Sequence, residues 1–190
     1  GGASQTVEAA SILIQGPSGA GRVSKLSADA TQTITTTAGG ISVLGGAGAD
    51  SLAVIDPTNQ QITSFGNMLL QGGTGSNADA LINAIGPQSV ISENGTITLL
   101  GGSGPGADAL IITTSPFQTV NGAGGVFVQM GPAGGGIAGL QRGQETGDFA
   151  STSVANELLR EQEELHWLLE DGASSDNEEE NRRRRAQLCS

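Results

Sequence analysis

Residues 32–55 read QTITTTAGGISVLGGAGADSLAVI, and this stretch decides the fold. It divides into three apolar clauses: Gln32-Thr33-Ile34, Ile41-Ser42-Val43-Leu44-Gly45-Gly46 and Asp50-Ser51-Leu52-Ala53-Val54-Ile55. Each clause is short, rich in β-branched and aliphatic side chains, and set off by small turn-forming residues, which is how brief strands ending in turns are written. None has the length or the 3.6-residue spacing of a helix, and 31 glycines in 190 residues would weaken helices throughout.

The same text returns on both sides. Gln5, Gln32, Gln60, Gln88 and Gln118 open successive copies at spacings of 27, 28, 28 and 30 residues. The third copy runs Gln60-Gln61-Ile62, Met68-Leu69-Leu70-Gln71-Gly72-Gly73 and Asp79-Ala80-Leu81-Ile82, and the fourth runs Gln88-Ser89-Val90, Ile97-Thr98-Leu99-Leu100-Gly101-Gly102 and Asp108-Ala109-Leu110-Ile111-Ile112. The end copies are looser, as terminal repeats of arrays are. The first keeps Gln5-Thr6-Val7 and Ile12-Leu13-Ile14 without the aspartate clause, and the fifth keeps Gln118-Thr119-Val120 and Val126-Phe127-Val128. No copy can bury its own apolar side chains, so copies must stack. The expected fold is all-β: a right-handed parallel β-helix (solenoid) of about five coils of ~28 residues, with three short strands per coil, over residues 1–140.

Stacked coils lie about 4.8 Å apart, so equivalent inward positions should carry like side chains. The repeat predicts one column of Val7, Ile34, Ile62, Val90 and Val120, a second of Ile12, Ile41, Met68, Ile97 and Val126 beside Ile14, Val43, Leu70, Leu99 and Val128, and a third of Leu52, Leu81 and Leu110. Asn83 interrupts the third clause where a local amide ladder or turn is expected. Two readings are open for the repeated glutamines: a ladder of side-chain hydrogen bonds along the axis, as in stacked cross-β assemblies, or a solvated corner, which is the expectation here.

Charge divides the chain. Residues 1–140 hold seven acids and two bases, Arg22 and Lys25, while 141–190 hold twelve acids and six bases, for a net −11. A nearly uncharged array with Phe65, Phe117 and Phe127 as its only aromatics lacks the basic stripe and stacking platforms of a nucleic-acid binder, so no nucleic acid is expected as partner. No stretch approaches the 18 or more apolar residues of a membrane span. A start at Gly1-Gly2, with no Met or signal-like segment, reads as part of a larger polypeptide whose targeting information lies upstream.

After Leu140 the grammar changes. A linker over 141–150 leads to an expected capping helix over 151–171, with Ser151, Thr152 or Ser153 at its start, Val154, Leu158, Leu165, Leu168 and Leu169 on one side and Gly172 beyond its end. Its apolar stripe suits closure of the last coil. Residues 172–190 pass from acidic to basic, ending the run at Arg182 to Arg185, and are expected to be a disordered charged tail.

Chemistry-bearing motifs are few. Gly45 to Ala53 fits the calcium nonapeptide pattern GGxGxDxUx, with related text at Gly72 to Leu81 and Gly101 to Leu110. On that reading Asp50, Asp79 and Asp108 form one column of carboxylates able to hold Ca²⁺, the one cofactor in view. The chain would then be a calcium-binding module like RTX repeats. A β-helix polysaccharide-active enzyme is a weaker alternative, because the array has no histidine and its bases all lie in the first coil. His166, beside Trp167, reads as a surface or packing residue. The single cysteine, Cys189, permits no internal disulfide and is a candidate for attachment or an intermolecular disulfide.

The repeated text itself, QTI or QSV, then ISVLGG or ITLLGG, then GAD-x-L, resembles the C-terminal repeats of filamentous haemagglutinin-like exoproteins, the secreted partners of two-partner secretion systems in Gram-negative bacteria. The resemblance covers about residues 4–140. It implies a non-enzymatic adhesin: a secreted or outer cell-surface β-helix, exported through an outer-membrane transporter partner and used for cell adhesion or matrix formation through glycans, matrix or self-association. Cys189 is placed like the C-terminal cysteine that some members use for surface retention.

Overall fold

The computed structural model of this chain describes residues 2–132 and 134–143. The expected capping helix at 151–171, the tail at 172–190 and all but the start of the 141–150 linker lie outside the described residues, among which there is no helix. Strands follow one another as β1 (Gln5–Ala9), β2 (Ile12–Gln15), β3 (Val23–Thr36), β4 (Ile41–Leu44), β5 (Leu52–Ser64), β6 (Met68–Gln71) and β7 (Ala80–Ala84). The series continues with β8 (Gln88–Ser92), β9 (Ile97–Leu100), β10 (Ala109–Thr113), β11 (Gln118–Gly122), β12 (Val126–Gln129) and β13 (Ala138–Arg142).

Among the described residues all strand pairings are parallel, and each joins a strand to its equivalent one coil away. The described residues form a parallel β-solenoid of about five turns. The second clauses make a five-stranded sheet in the order β12, β9, β6, β4, β2, and the first and third clauses share an eight-stranded sheet.

The first two expected columns form as read. Val7 pairs with Ile34, Ile34 with Ile62, Ile62 with Val90 and Val90 with Val120. Ile41, Met68 and Ile97 stack beside Val43, Leu70 and Leu99, all buried. At about 1.5–3 kcal/mol per fully buried aliphatic side chain, each coil contributes a few such groups, which offset chain ordering only when neighbouring coils cover them.

The third column differs. Its buried members are Ile55, Ile82 and Ile111, flanked by half-buried Leu26 and Leu140, together with Ala53, Ala80, Ala109 and Ala138. Leu81 and Leu110 face outward beside Val54, and Leu52 stacks two positions away on Val23. The cause lies in the turn. Ala53, Ala80 and Ala109 each lie seven positions after Gly46, Gly73 and Gly102, so the glycine pair keeps step with the coil while the aspartate shifts by two within a turn of fixed length.

Three short strands per coil hold only in the later coils. In β3 and β5 the third strand of one coil runs on as the first strand of the next. In the next two coils the same corner carries Gly86-Pro87 and Ser115-Pro116. Proline offers no N–H to the ladder, and Thr113 and Ser115 turn the backbone locally, accepting from the Ser115 and Phe117 N–H groups at 3.1 Å each. Pro57 is tolerated inside β5 because it pairs with Ala28, at the edge of the irregularity between Ala28 and Thr31 in β3.

Candidate functional site

The glycine and aspartate corner holds the candidate calcium ligands Asp50, Asp79 and Asp108. A Cβ on Gly45 or Gly72 would press into the carbonyl oxygen of Ala78 or Ala107 of the next coil, so the coils approach too closely there for any side chain. The turn then needs one residue in the left-handed region. Gly21 (φ 66°), Asp50 (φ 54°), Asn77 (φ 50°) and Gly106 (φ 65°) fill it, the residue types that accept this conformation most readily. Asn77 Nδ2 donates to Asp50 Oδ1 at 2.9 Å.

Asp50 therefore does not share a column with Asp79 and Asp108, and the expected stack of three carboxylates is not formed: Asp79 and Asp108 follow the left-handed residue by two positions. Each has a structural partner. Asp79 Oδ1 accepts the Asp108 backbone N–H at 2.9 Å, and Asp108 Oδ1 accepts the Ile137 N–H at 2.9 Å. Burial raises the Asp79 carboxyl above its ordinary range, and the charges of Asp108 and Asp50 push the same way against the opposing pull of the Asp108 N–H. Among the described residues no group of three or more His, Cys, Asp or Glu is placed to hold a metal ion.

The glutamines are not on a solvated corner. Gln32, Gln60 and Gln88 are buried and build an axial ladder: Gln32 Nε2 donates to Gln5 Oε1 at 2.7 Å, Gln88 Nε2 to Gln60 Oε1 at 2.9 Å and Gln118 Nε2 to Gln88 Oε1 at 2.8 Å. Gln88 and Gln118 also close the corner, donating to the carbonyls of Ile112 at 3.0 Å and Gln141 at 3.1 Å. One rung is missing: Gln32 Oε1 and Gln60 Nε2 are buried without a partner among the described residues. The gap falls in the coil pair whose β3 carries the bulge just before Gln32. At Asn83, the site of the expected local ladder or turn, there is a single rung: Asn83 Nδ2 donates to the Asp56 carboxylate Oδ1 of the preceding coil at 3.1 Å.

Outside this ladder an open groove of about 520 Å³ runs along the axis. Its lining repeats coil by coil as Asn59-Gln60-Gln61, Pro87-Gln88-Ser89 and Phe117-Gln118-Thr119, with Gln61, Ser89 and Thr119 in one column. Among the described residues Arg142 brings the groove its one charge, and Phe117, 71% exposed, its one aromatic ring. Hydroxyls and amides at a regular axial step of about 4.8 Å, one aromatic face and, among the described residues, no carboxylate or imidazole make a surface suited to binding an extended polar polymer. Sequence reading missed the groove because it depends on where Pro87 and Pro116 break the strands, although the tripeptides themselves recur visibly.

No protein-family model, curated protein or solved structure matches this chain. Cys189 and His166 lie outside the described residues. No helix of the described residues is long and apolar enough to cross a membrane.

Proposed function

We propose that this chain is a structural and adhesive segment of a secreted or cell-surface β-helical exoprotein, attaching to glycan through the groove beside Phe117. The observation that carries the reading is the column of neutral hydrogen-bonding side chains Gln61, Ser89 and Thr119 along that groove, which offers one weak equivalent contact per coil to a repeating polymer instead of one enclosed pocket. The similarity of the QTI, LGG and GAD-x-L text to filamentous haemagglutinin-like exoproteins supports the same role. On this reading export passes through an outer-membrane transporter partner.

Retention of the chain on immobilised neutral and uronic-acid polysaccharides tests the proposal. Phe117→Ala should weaken retention about tenfold, the worth of one stacking ring, and Arg142→Ala should act selectively on the uronic-acid polymers. Absence of retention on every polymer, or binding indifferent to Phe117→Ala, refutes it.

A further inference from the structure

The outward face of the five-stranded sheet carries a pattern that the core does not require. Its two outward columns are Leu13, Ser42, Leu69, Thr98, Phe127 and Gln15, Leu44, Gln71, Leu100, Gln129. Odd coils thus present a large apolar residue followed by glutamine, and even coils a hydroxyl followed by leucine. The result is a checkerboard with a two-coil period. Leu13 and Phe127 are 65% and 55% exposed, and no strand of this sheet contains a charged residue. The outward positions of the first strands differ, being almost wholly polar: Thr6, Thr33, Gln61, Ser89 and Thr119 in one column. Parallel sheets are ordinarily covered on both faces.

The pattern is palindromic about the third coil. Rotation by a half-turn about an axis along β6 sets Leu13 against Phe127 of a second molecule, Leu44 against Leu100 and Leu69 against its own copy. It also sets hydroxyl on hydroxyl (Ser42 on Thr98) and amide on amide (Gln15 on Gln129, Gln71 on Gln71). We propose that this face is a self-association surface, on which two copies of this chain pack face to face with their solenoid axes antiparallel. Such an isologous contact brings every residue type against its like and desolvates no charge. It stands on a different surface from the groove, so glycan retention and self-association can fail separately.

Four residues at about 3.3 Å by five strands at about 4.8 Å give a footprint of roughly 300 Å² a side. That is below the roughly 1,200 Å² total of a stable interface. Association of the isolated chain is therefore weak and concentration-dependent.

Sedimentation equilibrium of the full chain carrying Cys189→Ser, which removes any intermolecular disulfide, reads the contact from about 10 μM to about 1 mM. The mass-average should climb towards the dimer. Leu69→Lys places two like charges on the two-fold axis and Ser42→Lys charges the face without removing an apolar group; either should hold the chain monomeric, while Phe117→Ser, on the groove, should leave association unchanged. For orientation, nitroxides on Leu13→Cys and Phe127→Cys chains mixed together should lie about 10 Å apart at the backbone, and those on Leu13→Cys chains alone about 20 Å. A monomer at every concentration overturns the proposal. So does association undisturbed by both lysines, association lost with Phe117→Ser, or a short distance between like-labelled Leu13→Cys chains.

Discussion

Gln88 and Gln32 occupy the same column and the same kind of strand, yet replacing each by leucine should have different consequences. Gln88, 3% exposed, donates to Gln60 Oε1, the Ile112 carbonyl and, at 3.3 Å, the Ile82 carbonyl, and it accepts from Gln118. Gln88→Leu leaves Gln60 Oε1 buried with no donor and takes one donor from the Ile112 carbonyl. Gln118 Nε2 keeps the carbonyls of Ile111 and Gln141. At about 1–3 kcal/mol for the orphaned Gln60 oxygen and about 1 kcal/mol for the bond lost at the Ile112 carbonyl, less a few tenths returned by the apolar side chain, the loss should be about 2–4 kcal/mol. Gln32 makes one ladder bond, to half-buried Gln5, and its own Oε1 already lacks a partner. Gln32→Leu removes that orphan and lets Gln5 turn to water, so its effect should lie within about 1 kcal/mol of zero, in either direction. Urea unfolding separates the two cases: with a slope of about 2 kcal/mol/M, Gln88→Leu lowers the midpoint by about 1–2 M and Gln32→Leu barely moves it. An equal loss for both would mean that the rung between Gln32 and Gln60 is made in solution, and the account of the bulge breaking the ladder would fall.

Ile82→Ala should cost about 2–5 kcal/mol while Leu81→Ala costs about 1 or less, because only Ile82 points into the core. Equal losses in urea unfolding would restore the aspartate-aligned register. Gly72→Ala should destabilise by more than about 3 kcal/mol, since the new Cβ meets the Ala107 carbonyl, whereas Gly21→Ala, with open space and only its φ to strain, should cost about 1 kcal/mol; the reverse order in thermal unfolding would refute the close approach. The folded state holds the Asp79 proton more tightly than the unfolded chain does, so ionised Asp79 costs stability at neutral pH and that cost is relieved as pH falls from its raised value towards 3.8. Asp79→Asn keeps an oxygen for the Asp108 N–H, so it should melt above wild type at pH 7 and converge with it near pH 4. A melting difference independent of pH would exclude the titration of Asp79 as its cause.

Much of the architecture was written in single residues. Columns of like aliphatics at 27- to 30-residue spacing are legible because inward neighbours one coil apart share one environment, and the two columns built on Ile34 and Ile41 stack as read. The third column departs from the aspartate spacing because the coil follows the glycine pair, which alone permits the close approach at Gly45 and Gly72, and not the rarer, chemically conspicuous aspartate. Asp50 beside Asn77 is a question of backbone conformation, and no spacing rule separates a ligand from a residue that tolerates a positive φ.

The repeat alone dictates that residues 5–142 stack as parallel strands, because a repeated pattern of apolar residues can be buried only against its own copies. Which carboxylates meet, that the glutamines lie inside, and that Pro87, Pro116 and Phe117 border a groove were decided by the tertiary structure. Each of these depends on a shift of one or two residues at a corner, and such a shift changes the neighbours of a side chain without changing the repeat that announces the fold.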